Sequence, residues 1–183
     1  SWATGFSTGG TPPPGYDVAG APTSPGRLGG EVETSTLVTS PTGIRVRLAA
    51  DAERRSFPPE TGAPAVEALR ALQDTTWVSV IDLDFTYSAV DPTTVGDLDL
   101  VMPWVDPFVP TNVAPDPTIT PGALRFELQR NNGDVSIVGS GHLVRSGMHA
   151  YLIWAIDDAA RSDGTSHHEQ VERSIWATAE QVR

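Results

Sequence analysis

Four histidines, His142, His149, His167 and His168, are the side chains of this 183-residue chain best suited to moving a proton or holding a metal near neutral pH. His142 and His149 stand on either side of Ser146-Gly147, a tight-turn signal that would lay them on neighbouring antiparallel strands. Asp157 and Asp158 close the strand after that turn, and His167, His168 and Glu169 open the C-terminal tail. A metal site could be assembled from His142, His149, Asp157 and His167. The spacing of such sites is missing, however: there is no His-x-His pair and no glutamate at a fixed offset from one. Histidines on strand faces and loops are ordinarily surface residues, so no metal is expected.

Two aspartate pairs, Asp82 with Asp84 and Asp97 with Asp99, have i, i+2 spacing. On a strand each pair would point the same way, about 7 Å apart, a separation at which two carboxylates can flank a glycosidic bond. Alternation of Asp with Leu or Phe is better explained as a solvated strand face, and nothing marks one carboxylate for a raised pKa. Asp91 with Asp97 and Asp99 could hold calcium, but their loop lacks the EF-hand spacing. "VGSGHLVRSG" is neither a nucleophile elbow nor a dinucleotide fingerprint, because it continues as strand instead of opening a helix. All twelve basic residues are arginine and there is no cysteine. That removes Schiff-base lysines, the P-loop lysine, thiolate nucleophiles, disulfides and cysteine metal sites. The expectation is a protein without catalytic residues or cofactor.

The elements that would position these residues are short strands. Gly 17 and Pro 16 punctuate the chain too often for long helices. Residues 1–30 form a Gly/Pro-rich arm with isolated Trp2, Phe6 and Tyr16, and residues 31–183 form the domain. "EVETSTLVTS" and "GIRVRLAA" alternate as strands around a "PTG" turn. Pro64, with Val66, Leu69 and Leu72 on one face, predicts a helix ending at Gln73. "TWVSVIDLDFTYSAV" reads as a strand with Trp77, Ser79, Ile81, Leu83, Phe85 and Tyr87 on a dry face and Asp82, Asp84 and Thr86 on a wet one. "DLDLVMPWV" reads as a further strand ending near Pro103. "DPFVPTNVAPDPTITPG", with five prolines in seventeen residues, reads as an extended loop.

A meander follows, with Asn132-Gly133 as a hairpin signal and strands near 123–131, 134–144 and 148–157, the last apolar on both faces. In the tail, Ser166 and Glu169 make a capping box, and Val171, Ile175, Ala179 and Val182 stack at helical spacing, which favours a helix over a strand. These elements predict a mainly antiparallel all-β domain, a β-sandwich or jelly roll with one or two short helices and an extended N-terminal arm.

The net charge of −11, from 23 acidic and 12 basic residues, repels phosphate backbones and argues against a nucleic-acid partner. No apolar run approaches the roughly 20 residues needed to cross a bilayer, so no membrane partner is expected. The N-terminus lacks the charged and apolar regions of a signal peptide. Ser1 is what initiator methionine removal leaves, which would make the chain complete and unprocessed. The arm cannot offset its own ordering entropy by burial, so its spaced aromatics Trp2, Phe6 and Tyr16 read as anchors for pockets on another subunit. Trp104 and Phe108, beside the Pro-rich loop, read as surface contacts for a partner.

In composition and layout over the whole chain, the Arg-only, Gly/Pro-rich sequence with its arm resembles the accessory virion proteins of tailed bacteriophages of high-GC hosts: capsid decoration, head-fibre and minor tail proteins. The resemblance implies a non-enzymatic structural subunit of a virion, assembled in the host cytoplasm, with other protein subunits as partners and a homo-oligomer, trimeric by preference. Two alternatives come from other classes. One is a secreted or surface carbohydrate-binding β-sandwich with an aromatic patch at Trp104. The other is a metal-dependent hydrolase in which His142 and His149 converge with Asp157 or His167.

Overall fold

Arg45 and Arg47 alternate with Ile44, Val46 and Leu48, which gives this segment one wet and one dry face. It forms strand β2 (Ile44–Ala49) of the computed structural model, which describes residues 32–60, 62–73, 75–106, 108–130, 137–158 and 167–182. β2 pairs antiparallel with β1 (Thr34–Val38) on one side and β10 (Glu180–Gln181) on the other, making a three-stranded sheet. The second sheet has seven strands in the order β3-β4-β5-β9-β8-β7-β6, all antiparallel. They are β3 (Glu53–Phe57), β4 (Ala65–Gln73), β5 (Thr76–Asp84), β6 (Phe108–Pro115), β7 (Leu124–Arg130), β8 (Ile137–Ser146) and β9 (His149–Asp158). Helix α1 (Asp97–Val105) lies between β5 and β6 in sequence, and α2 (His167–Thr178) follows β9.

The expected all-β, mainly antiparallel class holds. The layering is sandwich-like, but the large sheet is two meanders, β3-β4-β5 and β6-β7-β8-β9, joined by the β5–β9 pair. Each face of this sheet has its own core. On one, Ile81, Leu83, Phe126, Leu143, Leu152 and Trp154 pack with Leu100, Val101, Trp104 and Val105 of α1. On the other, Val78, Val80, Tyr151, Ile153 and Ala155 pack under Ile44, Val46 and Leu48 of β2 and Ile175 of α2. Apolar packing on both sides of the sheet explains why the middle of β9, residues 150–156, is apolar on both faces, as its sequence indicates. Gly141 is required at the first face: a Cβ there would come within 2.6 Å of the Ile153 carbonyl, the Phe126 ring and Trp154 Cβ.

Three expected elements are different. Residues 65–73 are strand β4, not a helix, because β4 lies between β3 and β5 with Val66 and Ala68 in one core and Leu69 and Ala71 in the other. Tertiary pairing overrides the helix propensity of its Ala, Leu and Glu residues. "DLDLVMPWV" is helix α1, not a strand: Leu100, Val101, Trp104 and Val105 share its buried side while Asp97 and Asp99 sit in the first turn, where the helix dipole favours acids. Much of the Pro-rich loop is β6, an edge strand, where prolines cost no ladder hydrogen bond on the open side. Its register shifts between Thr111 and Ala114, with Asn112 at φ 50°.

The meander stands as expected, with β7, β8 and β9 in antiparallel register. Ser146 faces His149 across a two-residue turn in which Gly147 takes φ 58°. Asn132-Gly133 and the arm with Trp2, Phe6 and Tyr16 lie outside the described residues. The tail is a helix, as its spacing indicates, but it ends at Thr178; Ala179 and Val182 of the expected stripe lie beyond it, on either side of the two-residue β10.

Candidate functional site

The second face of the large sheet carries nearly all the chemistry-bearing side chains, in a polar seam between the sheet, α2 and the β1–β2 turn. Strand register places them. His142, Ser140 and Val138 follow one another along this face of β8, and Ile153, Ala155 and Asp157 stand opposite them on β9. On β7, Arg125 lies beside His142 and Glu127 beside Ser140.

His142 is fully buried between two carboxylates. Its Nδ1 lies 2.7 Å from Glu172 Oε1 on α2, and its Nε2 2.8 Å from Asp116 Oδ2 in the β6–β7 loop. The Trp176 indole donates to the same Glu172 oxygen at 2.7 Å. Arg173 donates to Asp116, to Thr118 Oγ1 at 2.8 Å and to Glu169 Oε1 at 3.2 Å. Arg125 forks both Glu169 oxygens at 3.2 Å.

Burial works against charging His142, but its hydrogen bonds to Glu172 and Asp116 outweigh that and raise its pKa above the ordinary histidine value. Burial also raises Glu172, while the Thr118 hydroxyl, with His142 and Arg173, holds Asp116 well below the usual carboxylate range.

A second pair closes the other end of the seam. Asp82, at 1% exposure, accepts from His149 Nδ1 at 2.7 Å, Thr39 Oγ1 at 2.7 Å and Ser40 Oγ at 3.2 Å. His149 Nε2 lies 3.1 Å from Thr42 Oγ1, and its ring stacks on Tyr151 with centroids 5.4 Å apart. Burial opposes charging His149, yet Asp82 raises it, and burial pushes the Tyr151 phenol up to about 12. The expected wet face of β5 is corrected at Asp82, which the hydroxyls of Thr39 and Ser40 cover, while Asp84 is partly exposed and Thr86 exposed. Tyr87, expected on the dry face, is exposed because the strand ends at Asp84. At the third position Asp157 accepts from Thr76 Oγ1 at 2.6 Å, and His168 Nδ1 lies 4.0 Å from its other oxygen. Burial lowers the His168 pKa.

His142 and His149 do share a face of adjoining strands, but they do not converge. His149 pairs with Ser146, four positions along β8 from His142, and Asp157 pairs with Val138, four positions the other way. At about 3.4 Å per residue these are separations of roughly 13 Å. His167, half-buried at the start of α2, joins neither group, and the described residues hold no cluster of three or more His, Asp or Glu side chains suited to a metal.

Trp104 and Phe108 are buried, at 0% and 3% exposure, contrary to their expected role as surface contacts. They fill the core between α1, β3 and β9, with Phe57 5.8 Å from Trp104 and Phe108 6.5 Å from Trp154. Trp104 therefore cannot stack on a sugar. Asp91 caps a 3₁₀ turn through Thr93, and Asp97 pairs with Arg145 at 2.7 Å. Sequence reasoning missed Asp116, Glu172 and Arg173. Glu172 carried a signal: it sits on the same helical face as the stacked Val171 and Ile175, where a carboxylate must find a partner.

Folded-state His142 and His149 bind protons more tightly than their unfolded counterparts, so their contribution is complete below about pH 6.5 and fades as pH rises through their raised values. Glu172 adds in the same direction. Asp116 has the opposite sign, contributing above about pH 4 and losing that contribution as pH falls toward its depressed value. His168, lowered, offsets part of the histidine gain below about pH 6.5. Stability measured by urea denaturation is expected to peak at mildly acidic pH and to decline toward pH 9. A curve that rises from pH 6 to 9 would overturn this assignment.

No protein-family model matches the chain, and no curated protein matches it in sequence.

Proposed function

We propose that the chain is a non-catalytic structural subunit of a multi-chain assembly, of the kind represented by accessory virion proteins of tailed bacteriophages. The observation that carries this reading is the apolar surface on the α1 side of the large sheet. Leu98 and Met102, one helical turn apart on α1, are 47% and 50% exposed, and Val113 on β6 is 43% exposed. Leu98 and Val113 line one narrow cleft with Val101, Pro110 and Leu124. Tyr87 and Met148 lie at the adjoining end, where the Phe85 N–H donates to the Met148 carbonyl. Arg145 ties that end to α1 through Asp97 and the carbonyls of Pro92 and Val95. These are the exposed large apolar side chains among the described residues, and an apolar cleft flanked by Leu98 and Val113, with Met102 one turn along α1, suits contact with another protein. The contact residues are thus Leu98, Met102 and Val113, the outward neighbours of the buried Trp104 and Phe108.

Further support comes from Glu172, which bonds His142 across α2 and the sheet, and from Asp82, which bonds Thr39 and Ser40 of the β1–β2 turn. In this reading the arm anchors the subunit through Trp2, Phe6 and Tyr16, and the α1 side meets a neighbouring copy in a closed, trimeric ring. The test is Met102→Asp. It is expected to lower the assembled mass to that of one chain while leaving the thermal midpoint of the domain within a few degrees, because Met102 is half-exposed. An unchanged assembled mass with Met102→Asp and with Leu98→Asp removes the α1 side from the reading.

A further inference from the structure

The two buried histidines of the second face differ in what their second ring nitrogen meets. His142 lies between two carboxylates. His149 lies between a carboxylate and a hydroxyl: Nδ1 is 2.7 Å from Asp82 Oδ1, and Nε2 is 3.1 Å from Thr42 Oγ1. With the Nδ1 proton given to Asp82, the neutral ring turns the lone pair of Nε2 toward the Thr42 hydroxyl. Hydroxyl, imidazole and carboxylate in this order make an activated nucleophile, which is recognised by geometry and not by position in the chain. Burial is graded to suit the roles. Asp82 and His149 are buried, whereas Thr42 is exposed, so the hydroxyl stands at the surface with its base behind it. The parts are also held in place. Asp82 is fixed by Thr39 and Ser40, and the His149 ring stacks on Tyr151. The turn that carries Thr42 is closed by the Thr39 N–H donating to the Ile44 carbonyl at 2.9 Å and the Ile44 N–H donating to Thr39 Oγ1 at 3.0 Å. Beyond β10, the Val182 N–H donates to the Gly43 carbonyl at 2.8 Å.

We infer that Thr42 is an acylation site: an activated ester of a short, uncharged acid transfers its acyl group to Thr42 Oγ1, with His149 as the base and Asp82 positioning it. The Thr42 proton passes to His149 Nε2 as the bond from Oγ1 to the acyl carbon forms. The ester C–O bond then breaks, and the imidazolium returns the proton to the departing alcohol. One threonine ester and one free alcohol result, so atoms and charge balance without a further reactant. An anionic acyl donor is disfavoured, because Asp82 and, 3.8 Å from Nε2, Asp84 face the same imidazole. His149 takes the proton only when neutral. Its pKa is raised, with burial opposed by the hydrogen bond and charge of Asp82 and the charge of Asp84, so acylation climbs as pH rises through that value. A single acyl group modifies the subunit and does not depend on whether the chain assembles.

The test is treatment of the full chain with p-nitrophenyl acetate, the acetyl group being located by fragment mass spectrometry. The chain has no lysine and no cysteine, which removes the usual competing nucleophiles. The expected result is an acetyl group on Thr42 that is lost in Thr42→Val, kept in Thr42→Ser and formed about a hundredfold more slowly in His149→Gln. In the unaltered chain the rate at Thr42 is expected to rise between about pH 6 and pH 9, a reading that does not depend on any variant folding. Acetyl groups on the α-amine or on tyrosines with none on Thr42 overturn the proposal. So does a Thr42 rate that is flat with pH or unchanged in His149→Gln, since either makes Thr42 an ordinary surface hydroxyl.

Discussion

Replacing His142 with alanine is expected to cost about 3–5 kcal/mol of folding stability. That is a large share of the roughly 5–15 kcal/mol that holds a domain of this size folded. The cost does not come from a strong bond lost. It comes from Glu172, which is fully buried and, among the described residues, would keep the Trp176 indole as its protein donor once the imidazole is gone. Asp116 is better placed, because Thr118 and Arg173 continue to serve it. The same logic gives a sharper expectation for the double variant His142→Leu/Glu172→Leu. With both polar groups replaced by apolar ones of similar volume no charge remains buried, and most of the loss should be recovered. Urea unfolding of the two single variants and the double, with m-values checked for constancy, measures all three terms. A single variant as stable as the parent, or a double variant below both singles, would show that the seam is not built on this pair.

Trp104→Ala is expected to be equally severe, at about 3–5 kcal/mol, and for a different reason. Trp104 has no exposed surface and fills the space between Phe57 on β3 and the α1 face of the sheet. Truncation leaves a cavity beneath a nine-residue helix that contains Pro103 and has little intrinsic stability. Helix α1 should loosen, and with it the surface that Leu98 and Met102 present. Association would then fail together with folding. In Met102→Asp the proposed association is expected to fail alone, a contrast that would separate the core residue Trp104 from the proposed contact residue two positions away. Near-wild-type unfolding of Trp104→Ala would contradict the packing described above.

Much of this architecture was legible in the sequence where a strand or helix has one dry face. β2 alternates cleanly, and the Ser146-Gly147 turn fixed the β8–β9 pairing. The spacing of Val171, Ile175, Ala179 and Val182 favoured a helix in the tail, and Val171 and Ile175 do face inward on it. The misreadings share a cause. β4 is dry on both faces, so its apolar residues fall at every parity, and Val66, Leu69 and Leu72 imitate a helical stripe. α1 begins Asp-Leu-Asp-Leu, an alternation that belongs to a strand, yet Leu98 is exposed and Leu100 buried because the true period is 3.6. The acids at its first turn were the available clue. β6 was hidden by prolines that an edge strand tolerates.

The site was half legible for a related reason. Register about one turn could place His142 and His149 on one face, but their partners Glu172, Asp116 and Asp82 come from 30, 26 and 67 residues away. Pairings across that distance are set by how α2 and the β1–β2 turn fold over the sheet, which local patterns do not encode.

Among the described residues, His142 and His149 with Glu172, Asp116 and Asp82 join parts of the fold across the seam, and the exposed apolar side chains Leu98, Met102 and Val113 stand on the α1 side. The measurement that tests the proposed role most directly is the mass of the full chain in solution, by light scattering across a concentration series. The expected result is a discrete species of three times the 19.4 kDa chain mass, which Met102→Asp returns to a single chain. A particle of 19.4 kDa at every concentration would contradict the account.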